Sequence, residues 1–173
     1  MEKKKIRKLG LVGRGIKYSF SKKYFEKKFK NLNYNNFFYK NYDLKNLSEF
    51  KSILNDNDLI GLNVTIPYKE KILPYIDKLT TNAEKIGAVN TIYFENKKII
   101  GDNTDIIGFE IALKSFMKKK IYNAMILGTG GASKAINFVL KNNDINTLIV
   151  SRKPKKGQIH YKEINRDLLL RYP

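Results

Sequence analysis

Few residues in this chain are suited to chemistry. A lysine, Lys69, follows Asn63-Val-Thr-Ile-Pro67, and an aspartate, Asp105, follows Gly101-Asp-Asn-Thr104. The pattern puts each at the mouth of a strand-to-helix turn, with Pro67 in the first turn of a helix that Lys69 opens, and α/β folds place ligands at such mouths. A lysine held beside a carboxylate can exchange a proton with a substrate hydroxyl as hydride leaves or arrives at its carbon. By spacing alone, Lys69 and Asp105 read equally well as two surface charges. Cysteine is absent, His160 is the single histidine, and no Ser-His-Asp set is visible. Nucleophilic catalysis, disulfides, thiolate-bound metal and His-rich metal centres therefore have little to stand on, and no metal is expected.

A second group of residues lies further along. Gly128-Thr129-Gly130-Gly131-Ala132-Ser133 falls between a strand-like Ala124 to Leu127 and a helix reaching about Asn142. Missing Cβ atoms let such a turn approach a pyrophosphate, and the helix N-terminus supplies N–H donors and a positive dipole end. The spacing is not the full GxGxxG, so the turn reads either as dinucleotide-binding or as a tight structural turn. The next strand, Thr147 to Val150, runs into Ser151-Arg152-Lys153-Pro154-Lys155-Lys156, where no acid is present to hold two ribose hydroxyls. That chemistry suits the 2′-phosphate of NADP, with Arg152 flat beneath an adenine while pairing with the phosphate and the lysines adding charge. The alternative is one more basic loop in a basic protein.

The elements that must carry these residues follow an α/β rhythm. A strand at about Ile6 to Val12 enters Gly13-Arg-Gly15, and a helix from Ser21 carries Phe25, Phe29 and Leu32 as an apolar stripe. Phe37 to Tyr42, a helical Leu44 to Leu54 and Leu59 to Val64 repeat the alternation. Thr91 to Phe94 and Lys98 to Gly101 flank Glu95-Asn96-Lys97 as a hairpin. A helix from Asp105 to Met117 ends in Lys118-Lys-Lys120, basic groups that a helix C-terminus favours. The pattern restarts at Ile121 as the start of a βαβ unit with two strands, and a helical tail, Tyr161 to Tyr172, reaches Pro173. The expected fold is an N-terminal three-layer α/β substrate domain over 1–104, a linking helix over 105–120 and an incomplete Rossmann domain over 121–173.

At 173 residues with 42% apolar side chains the chain can bury a core. There is no apolar run long enough to span a bilayer, and Met1-Glu-Lys-Lys-Lys leads into a short mixed strand rather than a signal core, so a cytoplasmic protein with no membrane contact is expected. The net charge of +18, from 34 Lys and Arg against 16 Asp and Glu, would attract polyanions. Yet 29 of those 34 are Lys and five are Arg, and Asn numbers 19. Arg is the side chain whose fork suits phosphate and base edges. The charge reads as drift toward residues of AT-rich codons or as a selected polyanion site, with nucleic acid bound non-specifically if at all.

Four segments now matter together: Gly61-Leu-Asn-Val-Thr-Ile-Pro-Tyr-Lys-Glu70, Gly87-Ala-Val-Asn-Thr91, Gly101-Asp-Asn-Thr-Asp-Ile-Ile-Gly-Phe109 and Gly128-Thr-Gly-Gly-Ala-Ser133. In order and interval they resemble the signature segments of shikimate dehydrogenases, and Gly10-Leu-Val-Gly13 and Tyr18-Ser-Phe-Ser21 extend the resemblance over nearly the whole chain, weakening after Lys156. The resemblance implies NADP-dependent, reversible reduction of 3-dehydroshikimate to shikimate. It implies that Ser19 and Ser21 bind the substrate carboxylate, that Thr65 and Asn90 join them, and that Lys69 and Asp105 are the catalytic pair reaching the ring hydroxyls. Gly128 to Ala132 and Ser151 to Lys156 match the NADP segments, and a quinate-using relative shares these motifs. Tyr18 and Lys22 depart from the commoner histidine and proline of the serine segment. The family's later nucleotide-domain strands and C-terminal helix have no counterpart here, so the 173 residues alone are expected to turn over little, or to need a second copy or partner to supply that region.

Overall fold

A computed structural model describes residues 5–172 as two compact units, one up to Asp102 and one from Asn103. Met1 to Lys4, part of the segment read as a non-signal start, and Pro173, where the helical tail was expected to stop, lie outside the described residues.

The first unit contains, in chain order, β1 (Arg7–Gly13), α1 (Ser21–Asn31), β2 (Phe37–Asp43), α2 (Phe50–Leu54), β3 (Leu59–Val64), β4 (Lys78–Leu79), α3 (Thr81–Ile86), β5 (Thr91–Glu95) and β6 (Lys98–Asp102). One six-stranded sheet takes the order β2-β1-β3-β5-β6-β4. The first three strands are parallel, β5 and β6 form an antiparallel hairpin beside β3, and β4 is parallel to β6. Successive residues of a strand face opposite sides, and β1 uses both. Leu11 packs with Ile16, Phe29 and Tyr39 beneath α1, whereas Val12 packs with Leu62, Val64, Phe50, Ile53 and Ala83 from β3, α2 and α3. Helices thus cover both faces of the sheet in three layers. Burial on both sides accounts for the apolar residues at the C-terminal end of β1 and along β3. At the other end of β1, Lys8 Nζ bridges Asp56 and Asp58 at 2.9 and 3.3 Å and ties down the turn before β3.

The second unit contains α4 (Asp105–Phe116), β7 (Asn123–Leu127), α5 (Gly131–Asn142), β8 (Asn146–Ser151), β9 (Gln158–His160) and α6 (Arg166–Arg171). Its sheet is parallel in the order β7-β8-β9. Phe109, Leu113 and Met117 on or just after α4 pack with Ile126, Leu140 and Ile145, so α4 is part of this unit's core.

Several elements differ from the sequence reading. No helix begins at Pro67: the Ile66–Pro67 peptide is cis, Tyr68 N–H returns to Thr65 O, and Ile72 N–H returns to Tyr68 O. Residues 65–72 form a run of turns, and Lys69 sits on a loop rather than at a helix start. The expected helix from Leu44 to Leu54 begins later, because Leu44 N–H is drawn to Gly13 O and Asn46 with Glu49 makes a capping box around a 3-10 turn, Leu47–Glu49. A third strand, β9, joins the second sheet. The tail from Tyr161 is a 3-10 turn, Tyr161–Glu163, followed by α6, which Asn165 starts by accepting Leu168 N–H.

Among the described residues no helix is long and apolar enough to cross a membrane, and no cluster of three or more His, Cys, Asp or Glu is arranged to hold a metal ion.

Candidate functional site

In the first unit the polar residues gather where β1 and β3 end and β5 begins. Because β5 runs antiparallel to β3, its first residue Thr91 lies opposite Asn63 at that same edge. Backbone hydrogen bonds lock the segments together. Thr65 N–H donates to Val12 O at 2.9 Å, Val64 N–H to Asn90 O at 2.8 Å, and Val89 N–H to Lys69 O at 2.7 Å. Lys69, though on a loop, therefore has its backbone tied directly to the strand entry that carries Asn90. The structure brings Thr65, Lys69 and Asn90 to one edge of the sheet. Gly13 permits this closeness: a Cβ there would meet Thr65 Cγ2 and Ile16 Cγ2 at 2.5 Å each. Ile16 O in turn accepts Ser19 N–H, and Ser19 Oγ accepts Ser21 N–H at 3.2 Å as α1 begins. A hydroxyl oxygen that accepts one hydrogen bond keeps its own O–H for donation.

Three supporting residues were not singled out from sequence. Thr91 Oγ1 donates to Asn90 Oδ1 at 2.9 Å and orients a side chain that is 8% exposed. Tyr39 donates its hydroxyl to Asn63 Oδ1 at 2.8 Å and is hydrogen-bonded to the Ser21 side chain. Burial pushes the Tyr39 phenol up to about 12, with the Ser21 hydrogen bond pulling the other way. Asn63 lies within a quoted motif, but the pairing of Tyr39 with Asn63 and Ser21 depends on strand order, which the sequence does not show.

Asp105 belongs to the second unit. It is the first residue of α4, and its N–H donates to Oδ1 of the fully buried Asn103 at 3.1 Å. This Asx turn starts the helix and fixes the aspartate's backbone.

The same unit holds a cleft of 620 Å³ lined by Gly128, Thr129, Gly130, Ser151, Arg152, Lys153 and Tyr161. Gly128 has φ +121, a backbone state that L side chains rarely adopt, and its N–H donates to Val150 O. A Cβ on Gly128 or Gly130 would meet no protein atom within 4 Å, so the space left by these glycines belongs to the cleft. Gly130, having no side chain, leaves the first turn of α5 without a side-chain cap. Gly131 and Ala132 begin that helix. Ser151 is 5% exposed and its Oγ accepts Lys153 N–H at 3.1 Å, which shapes the turn from which Arg152 and Lys153 project. Lys155 and Lys156 lie further along the loop and outside the cleft lining, where Lys155 N–H donates to the Gln158 side chain. Of the sequence candidates the cleft gathers six, and it adds Tyr161.

A three-layer α/β unit with its polar groups at one sheet edge, followed by a parallel unit with a glycine-rich strand-to-helix turn, defines a two-unit α/β protein. Residues 11–92 match the family model of the shikimate dehydrogenase substrate binding domain. A shikimate dehydrogenase (NADP(+)) of Clostridium botulinum is 40% identical over 157 residues, 89% of this chain and 61% of that protein. The crystal structure of shikimate dehydrogenase 1 from Peptoclostridium difficile superposes with a TM-score of 0.81 at 34% identity, covering 91% of this chain and 62% of that one. The Thermus thermophilus enzyme, solved in complex with NADP(H) and shikimate, gives 0.77 at 28% identity over 88% of this chain and 58% of that one. The chain belongs to the shikimate dehydrogenase family, and it spans about three fifths of the length of these relatives.

Proposed function

We propose that this chain serves the reversible, NADP-dependent interconversion of shikimate and 3-dehydroshikimate, the first unit holding the substrate and the second the cofactor. The observation that carries the reading is the joining of Thr65, Lys69 and Asn90 at one sheet edge through backbone hydrogen bonds of 2.7 to 2.9 Å. Their order along the chain matches the family's substrate segments. Ser19 and Ser21 donate hydroxyl hydrogens to the substrate carboxylate. Asn90, oriented by Thr91, and Thr65 contact ring hydroxyls. Lys69 Nζ takes the proton of the reacting hydroxyl during oxidation and returns it during reduction, and Asp105 hydrogen-bonds a hydroxyl of the ring.

The second unit fits a 2′-phosphorylated dinucleotide. Its glycines open onto the cleft, and the strand end beside them offers Arg152 and Lys153 with no acid to repel a phosphate. When bound, the nicotinamide accepts or supplies the hydride. Residues of this chain bind, orient and move the proton.

The test is turnover in the chain extended with the remaining two fifths of the C. botulinum relative. Lys69→Ala should lower kcat by roughly 100-fold or more, with a much smaller change in shikimate affinity. A near-normal kcat would remove Lys69 from proton transfer.

A further inference from the structure

Among the described residues, Tyr161 is the one aromatic side chain lining the cleft, and nothing in the sequence motifs gives it a role. Its position follows from strand register. β8 and β9 are parallel, with Ser151 opposite His160, so Arg152 and Tyr161 occupy the next step on neighbouring strand ends. Adjacent strands lie about 4.8 Å apart, which sets a guanidinium-bearing and a ring-bearing residue side by side at the mouth. The turn that presents the ring is braced. His160 N–H donates to Glu163 Oε2 at 2.5 Å, Lys162 N–H donates to His160 Nδ1 at 3.0 Å, and Ile164 N–H closes on Tyr161 O at 3.3 Å. Tyr161 itself is 39% exposed, leaving ring surface open for a flat partner.

We propose that Tyr161 is the surface on which the purine of a 2′-phosphorylated adenine nucleotide stacks, leaving Arg152 to grip the phosphate. The inference rests on the nucleotide reading of this cleft and sharpens it. A lone arginine would have to lie flat under the base and pair with the phosphate together. With a phenol plane one strand away, the two tasks separate. Every base has a π-face, so the tyrosine supplies affinity for the adenosine half, whereas Arg152 and Lys153 supply the preference for a 2′-phosphate.

Calorimetric titration of the 173-residue chain with adenosine 2′,5′-bisphosphate and with 5′-AMP tests this. Tyr161→Leu, which keeps apolar bulk without a ring, should weaken both ligands by the same factor, about 5- to 100-fold, the range of base stacking. Tyr161→Phe should stay within about twofold of the parent, since the ring matters and the hydroxyl does not. Arg152→Ala should weaken the bisphosphate and leave 5′-AMP nearly unchanged. If Tyr161→Leu binds both ligands as the parent does while Arg152→Ala has lost the bisphosphate, the stacking role is wrong and the nucleotide reading stands. Should the parent chain fail to bind the bisphosphate at all, both fall together. A loss in Tyr161→Phe equal to that in Tyr161→Leu would assign the effect to the hydroxyl and overturn stacking.

Discussion

Tyr39 is buried under α1 with its ring stacked on Phe25, the centroids 4.6 Å apart, and its hydroxyl is shared between Asn63 and Ser21. The phenol holds together the strand that leads to Thr65 and the helix start that carries the serines. Its burial has a pH signature. With a folded pKa pushed up to about 12 from 10.0, the folded protein keeps a proton that the unfolded chain has released. The stability tied to that proton is whole below the unfolded value and is lost as pH rises through the interval between the two. Tyr39→Phe should cost about 0.5–1.5 kcal/mol at pH 8, where a hydrogen bond is lost. Urea denaturation should then show the parent losing stability more steeply than Tyr39→Phe above pH 10, so that the gap between them closes. Parallel profiles would mean that the Tyr39 phenol ionises as freely as in the unfolded chain. The residues proposed to touch ligand, Lys69 and Asn90 among them, are legible from the segments that resemble the family. Tyr39 is not, because its partner Asn63 lies on another strand, and the role proposed for Tyr161 likewise depends on the register of β9 against β8.

Elements differ in how openly they announce themselves. β3, β7 and β8 stand out as short runs rich in apolar residues, and α1 because Phe25, Phe29 and Leu32 repeat at helical spacing. α3, six residues long, is too short for an apolar stripe to mark it, although Thr80 accepting Ala83 N–H and the left-handed Gly87 are ordinary start and stop signals. β9, with three residues, is too short for alternation to register. The sequence points to a helix at the Lys69 loop because Pro67 suits a first helical turn as well as the turn it makes. The junction of β1 with the segment after β3 offers a direct check on how the edge is built. Gly13→Ala would drive a methyl carbon to 2.5 Å from both Thr65 and Ile16. Urea melts should show a loss of about 1–3 kcal/mol, the usual cost of overpacking. Shikimate binding should weaken with it as Thr65 is displaced. An unchanged melt would show that the edge is loosely packed and that Gly13 is not what allows the two segments to approach.

On the scale of the whole molecule the chain has two units with separate cores, and the proposed function divides substrate and cofactor between them. The family segments made both halves readable, since glycines, lysine and asparagine occur at matching intervals. Assigning α4 to the second core required the contacts of Phe109, Leu113 and Met117. The charge of +18 stayed ambiguous because one excess of lysine serves a solvated surface and an anion site alike. Direct evidence for the two-site account would come from amide-resolved NMR of the 173-residue chain titrated with shikimate and then with NADP. The account predicts that shikimate shifts amides at Ser19, Ser21, Thr65, Lys69 and Asn90. NADP should shift those at Gly128, Thr129, Gly130, Arg152 and Tyr161, and NAD, lacking the 2′-phosphate, should move Arg152 and Lys153 far less. Shikimate at saturating concentration that left the 65–69 and 90 amides unmoved, or NAD that perturbed Arg152 as strongly as NADP, would contradict it.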